Sequence, residues 1–115
     1  MLKTIPQILA QIRASLTTVT AVEAFMQSKE NNALVIDVRE PSEFADKAAS
    51  GAINIPRGLL EMKILQMYPD AEKAIFVHCA TGARATFSAE QLMRLGYQNV
   101  SIISCELDDI CNAFG

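Results

Sequence analysis

Ala74-Ile75-Phe76-Val77-His78-Cys79-Ala80-Thr81-Gly82-Ala83-Arg84 is the stretch that decides the fold. Its first five residues form an apolar run with β-branched and aromatic members, which predicts a buried strand ending at Cys79. Residues 84 or 85 to Leu95 carry a helical pattern, with Gly96 placed as its C′ residue. Between strand and helix lie only small residues and one glycine. Such a loop lets backbone N–H groups turn inward and cradle negative charge. The helix adds the partial positive charge of its N-terminus, and Arg84 adds a full one. A cysteine in that field is favoured as thiolate, the reactive form. Gly82 allows the positive φ of a tight reversal, and Thr81 offers a hydroxyl to a ligand. The plainer alternative is a buried packing cysteine. Strand, cysteine, small-residue loop and helix in succession favour the nucleophile.

Outward from this stretch, strands and helices alternate. Leu34-Val35-Ile36-Asp37-Val38 reads as a strand buried on both faces. Ala52-Ile53-Asn54-Ile55 reads as a short strand ended by Pro56, and Val100-Ser101-Ile102-Ile103 as a last strand. Thr17 to Thr20 form a short β piece. Thr20 caps a helix from Ala21 to about Ser28, with Glu23 completing a capping box. Further helices are expected from Pro41 to before Ala48, from Leu59 to Met67, with Met62 and Met67 in the core, and from Leu107 to Phe114. Short connections between such elements argue for an α/β fold with a parallel sheet covered on both faces. Ligands then bind beyond the carboxyl ends of the strands, where Asp37 and Cys79 lie.

Residues 1–16 form a separate expectation. Ile5, Ile8, Leu9, Ile12 and Leu16 recur at helical spacing, with Lys3, Gln7, Gln11 and Arg13 off that stripe. An amphipathic helix packed on its own domain is the leading reading; a dimer contact or a peripheral membrane contact remains open. Residues 17–115 make the main domain.

At 115 residues the chain has room for one domain with a sizeable core. The net charge is -3 and the basic residues are scattered, so nucleic acid is not an expected partner. No apolar run approaches ~18 residues, so no segment reads as a membrane span. No signal-peptide stretch is seen at the start. Three cysteines, Cys79, Cys105 and Cys111, make no disulfide framework. These features make the cytoplasm the expected compartment.

The landmarks together resemble the rhodanese family of sulfurtransferases from about Thr18 to Phe114. They are Asp37-Val38-Arg39-Glu40, Glu43-Phe44, Gly51-Ala52-Ile53-Asn54-Ile55-Pro56, the Cys79 loop, and Leu95-Gly96-Tyr97-Gln98-Asn99-Val100. The resemblance implies a three-layer α/β domain with a central, mostly parallel five-stranded sheet flanked by helices. It implies that Cys79 takes the sulfane sulfur of thiosulfate or a similar small anionic donor, holding it as a persulfide. A thiol, on a small molecule or a protein, or cyanide would then accept it. Ala80, Thr81, Gly82, Ala83 and Arg84 would bind the anion, with Arg84 attracting the sulfonate. Asp37 and Arg39 would support the loop from beneath, or line the pocket. Arg57 would attract anions at its mouth, or be a solvated charge. No metal or other cofactor is required. Related cell-cycle phosphatases and arsenate reductases have five residues between Cys and Arg; here there are four, Ala80 to Ala83, as in the sulfur-handling type.

Two stretches depart from the family pattern. Lys47-Ala48-Ala49 stands where Gly-His-Ile is usual, and Cys105-Glu106 where Gly-Gly usually follows the last strand. They keep a second reading open, a sulfur-relay or regulatory module without much turnover. Cys105 is either space-filling or a resolving partner for Cys79. Cys111 reads as packing. His78 adjoins Cys79, but consecutive strand side chains face opposite sides, so its imidazole should point away from the sulfur. Donor, acceptor and oligomeric state are not readable from these residues.

Overall fold

The apolar β-branched runs form the centre of a sheet in the computed structural model, which describes residues 1–115. The strands are β1 (Thr17–Val19), β2 (Leu34–Asp37), β3 (Ile53–Asn54), β4 (Ile75–His78) and β5 (Val100–Ile103). Their order across the sheet is β1-β5-β4-β2-β3, and all four pairings are parallel. β4 is the central strand, flanked by β5 and by β2, with Val35 opposite Phe76 and Asp37 opposite His78. From β2 the chain moves outward to β3, whereas from β4 it moves the other way to β5. The β2–β4 carboxyl ends are therefore the point where the connections diverge and a crevice opens.

Six helices cover the sheet: α1 (Ile5–Arg13), α2 (Ala21–Asn31), α3 (Pro41–Asp46), α4 (Leu60–Met67), α5 (Ala83–Leu95) and α6 (Leu107–Phe114). One core layer joins Ile36, Val38, Ile75, Val77 and Cys79 to Leu60 and Ile64 of α4 and to Ala85, Ala89 and Leu92 of α5. The other joins Val35, Phe76 and Ile103 to Ala21 and Ala24 of α2 and to Ile110 of α6. The two layers follow from the alternation of side chains along each strand. Small residues on the buried face of α5, Ala85, Ser88 and Ala89, let that helix approach the sheet closely.

Thr20 caps α2 as expected: its hydroxyl accepts from Glu23 N at 3.1 Å and Glu23 Oε1 accepts from Thr20 N at 2.8 Å. α2 runs past Ser28 to Asn31 and ends at Asn32, whose left-handed backbone (φ 53°) stops it. A 3-10 turn at Arg57–Leu59 precedes α4. Met62 and Met67 do not join the core; they are 67% and 50% exposed. Only Leu60 and Ile64, one turn apart, face inward on this eight-residue helix. Their burial contributes about 1.5–3 kcal/mol each. α1 lies on α5, with Ile12 buried and Leu16 packed against the first core layer. That is the own-domain packing expected of its apolar stripe.

Candidate active site

Cys79 follows the last residue of β4 and continues the side of that strand that carries Ile75 and Val77, beneath α5. It is 1% exposed. The chain then reverses through Ala80 and Thr81 to Gly82, the N-cap of α5, with φ +108°. A glycine has no side chain with which to cap the helix, and the vacant acceptor position is taken by the cysteine. Gly82 N donates to Cys79 Sγ at 3.1 Å and Ala85 N donates to it at 3.3 Å. Two N–H donors and the start of a thirteen-residue helix thus face the sulfur. Thr81 is exposed at the tip, and the half-buried Ala80 accepts from Leu107 N at 3.1 Å, which ties the loop to the start of α6.

A buried ionic group lies at the end of β2, on the other side of the sheet from Cys79. Asp37 and Arg39 are 0% and 3% exposed. The Arg39 guanidinium donates to both carboxylate oxygens of Asp37, at 3.0 Å to Oδ1 and 2.7 Å to Oδ2, and to the carbonyls of Glu43 within α3 and Lys47 at its C-terminal end. Neither side chain opens to solvent, and their partners are each other and the backbone of α3. His78 lies opposite Asp37 in the register, with Nε2 3.9 Å from Asp37 Oδ2 and Nδ1 near Cys79 O. Burial pushes the imidazole below its ordinary range, so the ring is neutral. It faces away from the sulfur, as strand alternation requires.

Arg84 stands at the loop with its charge already matched. Its guanidinium donates to Glu43 Oε1 at 2.6 Å and Oε2 at 3.1 Å, a two-pronged pair. The Arg84 hydrogen bond is the main reason the Glu43 carboxyl falls to about 2. In return Glu43 raises Arg84 above its usual value, with a smaller contribution from charge on Cys79. Glu43 is itself held by a hydrogen bond from Glu40 N at 3.0 Å. Arg57 likewise pairs with Glu61, at 2.8 Å along the chain's next turn. Arg84 was expected to offer its charge to an anion, and Arg57 either to do so or to be a solvated charge; each shares its charge with a carboxylate.

Two further residues reach the loop. Arg13, assigned by periodicity to the polar side of α1, is half-buried and donates from Nε to Thr86 Oγ1 at 3.0 Å. Thr86 in turn donates to Gly82 O at 2.8 Å. A side-chain carbon built on Gly82 would stand 2.9 Å from the Arg13 Nη2 atom. No local signal marks this contact, because Arg13 and Thr86 are far apart in the chain. Cys105 is placed elsewhere: it packs in the second core layer and its Sγ accepts from Ala21 N at 3.3 Å. The two sulfurs lie on opposite sides of the sheet, which removes the idea of Cys105 as a resolving partner. Cys111 packs in the same second layer.

Comparison with known proteins bears on this geometry. The family model described as "Rhodanese-like domain" matches residues 18–113. A putative mitochondrial thiosulfate sulfurtransferase of Schizosaccharomyces pombe is 33% identical over 82 residues, covering 62% of this chain and 58% of that protein. A thiosulfate sulfurtransferase of Escherichia coli is 34% identical over 65 residues, covering 56% and 62%. The chain spans about three fifths of the length of the curated relatives it matches. Among solved structures, a rhodanese with anions from E. coli aligns with a TM-score of 0.61 at 32% identity, covering 67% of this chain and 89% of that one. A Rhodopseudomonas palustris protein of unknown function, described as a possible tyrosine phosphatase, aligns with a TM-score of 0.85 over 100% of this chain and 94% of that one. At 22% identity that likeness speaks for the fold alone.

Proposed function

The chain belongs to the rhodanese-like domain family, and from that premise we propose that it is a sulfurtransferase working through a persulfide on Cys79. The observation that carries this reading is the sulfur seated at the open N-cap of α5, with Gly82 N and Ala85 N donating to it. In the first step the Cys79 thiolate attacks the sulfane sulfur of thiosulfate. A new S–S bond forms, the old one breaks, and sulfite leaves with the electron pair. In the second step a thiol or cyanide attacks the outer sulfur. The Cys79–S bond breaks, a persulfide or thiocyanate departs, and the thiolate is restored. Both steps are displacements at sulfur, so nucleophile strength and leaving-group pKa govern them. The inward N–H groups oppose charge on either sulfur of the persulfide, as an oxyanion hole does for developing charge. The relatives named for thiosulfate transfer, and the anion-bound E. coli rhodanese, support the choice of an anionic donor.

A second reading is a sulfur-relay or regulatory module with little turnover on free thiosulfate. The ion pairs that occupy Arg84 and Arg57 favour it, because they reduce the free positive charge at the site. Intact-protein mass after thiosulfate treatment tests the chemistry. A gain of one sulfur, absent in Cys79→Ser, is the expected result; no gain in the wild type would refute both readings. Cyanide-dependent thiocyanate formation then separates an enzyme, with robust turnover, from a relay, with persulfide but negligible turnover. Phosphate-ester hydrolysis without any sulfur gain would instead favour the phosphatase alternative.

A further inference from the structure

We infer that Arg13, on a helix outside the stretch matched by the family model, recruits anions to the Cys79 loop and meets the sulfonate end of the sulfur donor. The donor's identity rests on the sulfur-transfer reading; the anion recruitment does not.

Most of the arginines near the loop are already matched by a carboxylate. Arg39 is paired with Asp37, Arg57 with Glu61 and Arg84 with Glu43. Arg13 forms no ion pair; its protein partner is the neutral hydroxyl of Thr86. A guanidinium stays protonated at any working pH and carries five N–H donors. One, on Nε, fixes the plane of the group against α5. The terminal nitrogens donate to no protein acceptor and lie beside Gly82, whose N–H is bonded to the Cys79 sulfur. The cation therefore stands at the Gly82 end of the loop that holds the nucleophile. Its planar fork suits the oxygens of a sulfonate.

The surroundings keep it there. Arg13 is the last residue of α1, where the helix's partial negative charge favours a cation. Ile12 anchors that turn in the core. Residue 82 must be glycine for the guanidinium to lie this close, since a Cβ would collide with Nη2. Thr86 is fully buried and bonded to Gly82 O, so the acceptor that aims Arg13 is part of the loop's own framework.

The experiment compares wild type, Arg13→Met and Arg13→Lys by two rates at Cys79. One is persulfide formation with thiosulfate in a single turnover. The other is alkylation by anionic iodoacetate relative to neutral iodoacetamide. Melting temperatures report whether the variants fold. In Arg13→Met, the thiosulfate rate and the iodoacetate-to-iodoacetamide ratio are expected to fall roughly tenfold, as for loss of a hydrogen bond to a charged group. Arg13→Lys should retain much of the ratio, because it keeps the charge. An unchanged ratio in Arg13→Met, or an equal fall with both reagents, would mean that Arg13 only clamps the loop and would overturn the inference. A wild type that gains no sulfur from thiosulfate, with the ratio still falling in Arg13→Met, would sink the sulfur-transfer reading and leave the anion recruitment standing.

Discussion

Cys79 and Cys105 follow neighbouring parallel strands, and each sulfur accepts an N–H from the beginning of a helix. Their surroundings nevertheless differ in kind. At α2 the N-terminus is already satisfied by its own residues, with the Thr20 hydroxyl and the Glu23 carboxylate closing a capping box, so Cys105 receives only Ala21 N. At α5 the N-cap is Gly82, which supplies no side chain, and Cys79 takes the place of the missing cap. Charge follows the same division. Arg13 and Arg84 stand at the Cys79 loop, whereas Asp109 shares a groove of about 410 Å³ with Cys105. On the proposed reading, proximity to a helix end is not enough to make a cysteine reactive. The end must be left open, and the charges beside it must not cancel its field.

The sharpest way to break this contrast is to remove each sulfur. Cys79→Ser is expected to lower sulfur transfer by about three orders of magnitude or more, as for loss of a nucleophile. Cys105→Ser should leave it within about twofold. Steady-state assays of both variants check the pair, and a collapse in Cys105→Ser would undo the comparison. Next in size is the buried ion pair on the opposite side of the sheet. Asp37→Ala strands the buried Arg39 charge and should cost about 3–5 kcal/mol in urea unfolding; a cost under 1 kcal/mol would mean the pair carries little of the fold.

The two helix starts provide the third contrast. Gly82→Ala forces a left-handed backbone on a residue with a Cβ, at about 1–2 kcal/mol, and pushes Arg13 from its seat. It should therefore slow persulfide formation as well as lower the melting temperature. Thr20→Ala removes a cap worth about 1 kcal/mol and should leave the Cys79 rates unchanged. The smallest effect concerns Glu43. Its folded carboxyl lies near 2 and its ordinary value is 4.5. A carboxyl lowered by folding stabilises fully above its unfolded value and loses that contribution as pH falls through its folded one. The stability difference between wild type and Glu43→Gln should be level above about pH 4.5 and vanish towards pH 2, a small change because both partners are over a third exposed. Unfolding curves across that range check this, and a difference that does not change with pH would mean the pair contributes nothing to stability.

The strands were legible because Leu34–Asp37, Ile75–His78 and Val100–Ile103 are dominated by Val, Ile and Phe, and burial on both faces leaves little polar alternation to blur them. The short edges were read less well: β3 is two residues where four were expected, and the 3-10 turn before α4 was missed. The Cys79 loop stood out because its parts are contiguous. Its partners did not, since Glu43 meets Arg84 across 41 residues and Arg13 meets Thr86 across 73. Hydropathy counts Met62 and Met67 as core, but helical phase turns Met62 outward, and Met67, in phase with Leu60 and Ile64, is half-exposed at the last residue of α4. Arg13 shows the reverse error: a polar residue off the apolar stripe is drawn inward by one buried hydroxyl.

The sheet's rim has a consequence of its own. Its two outer strands, β1 and β3, have three and two residues, and each has a neighbour on one side only. Aggregation by strand addition needs a long, flat ladder of unpaired amides, and short outer strands are a natural defence against it. Here the long apolar runs that would template a fibril are confined to the interior of the sheet. The sequences richest in β-forming residues are thereby withheld from other molecules for as long as the fold lasts.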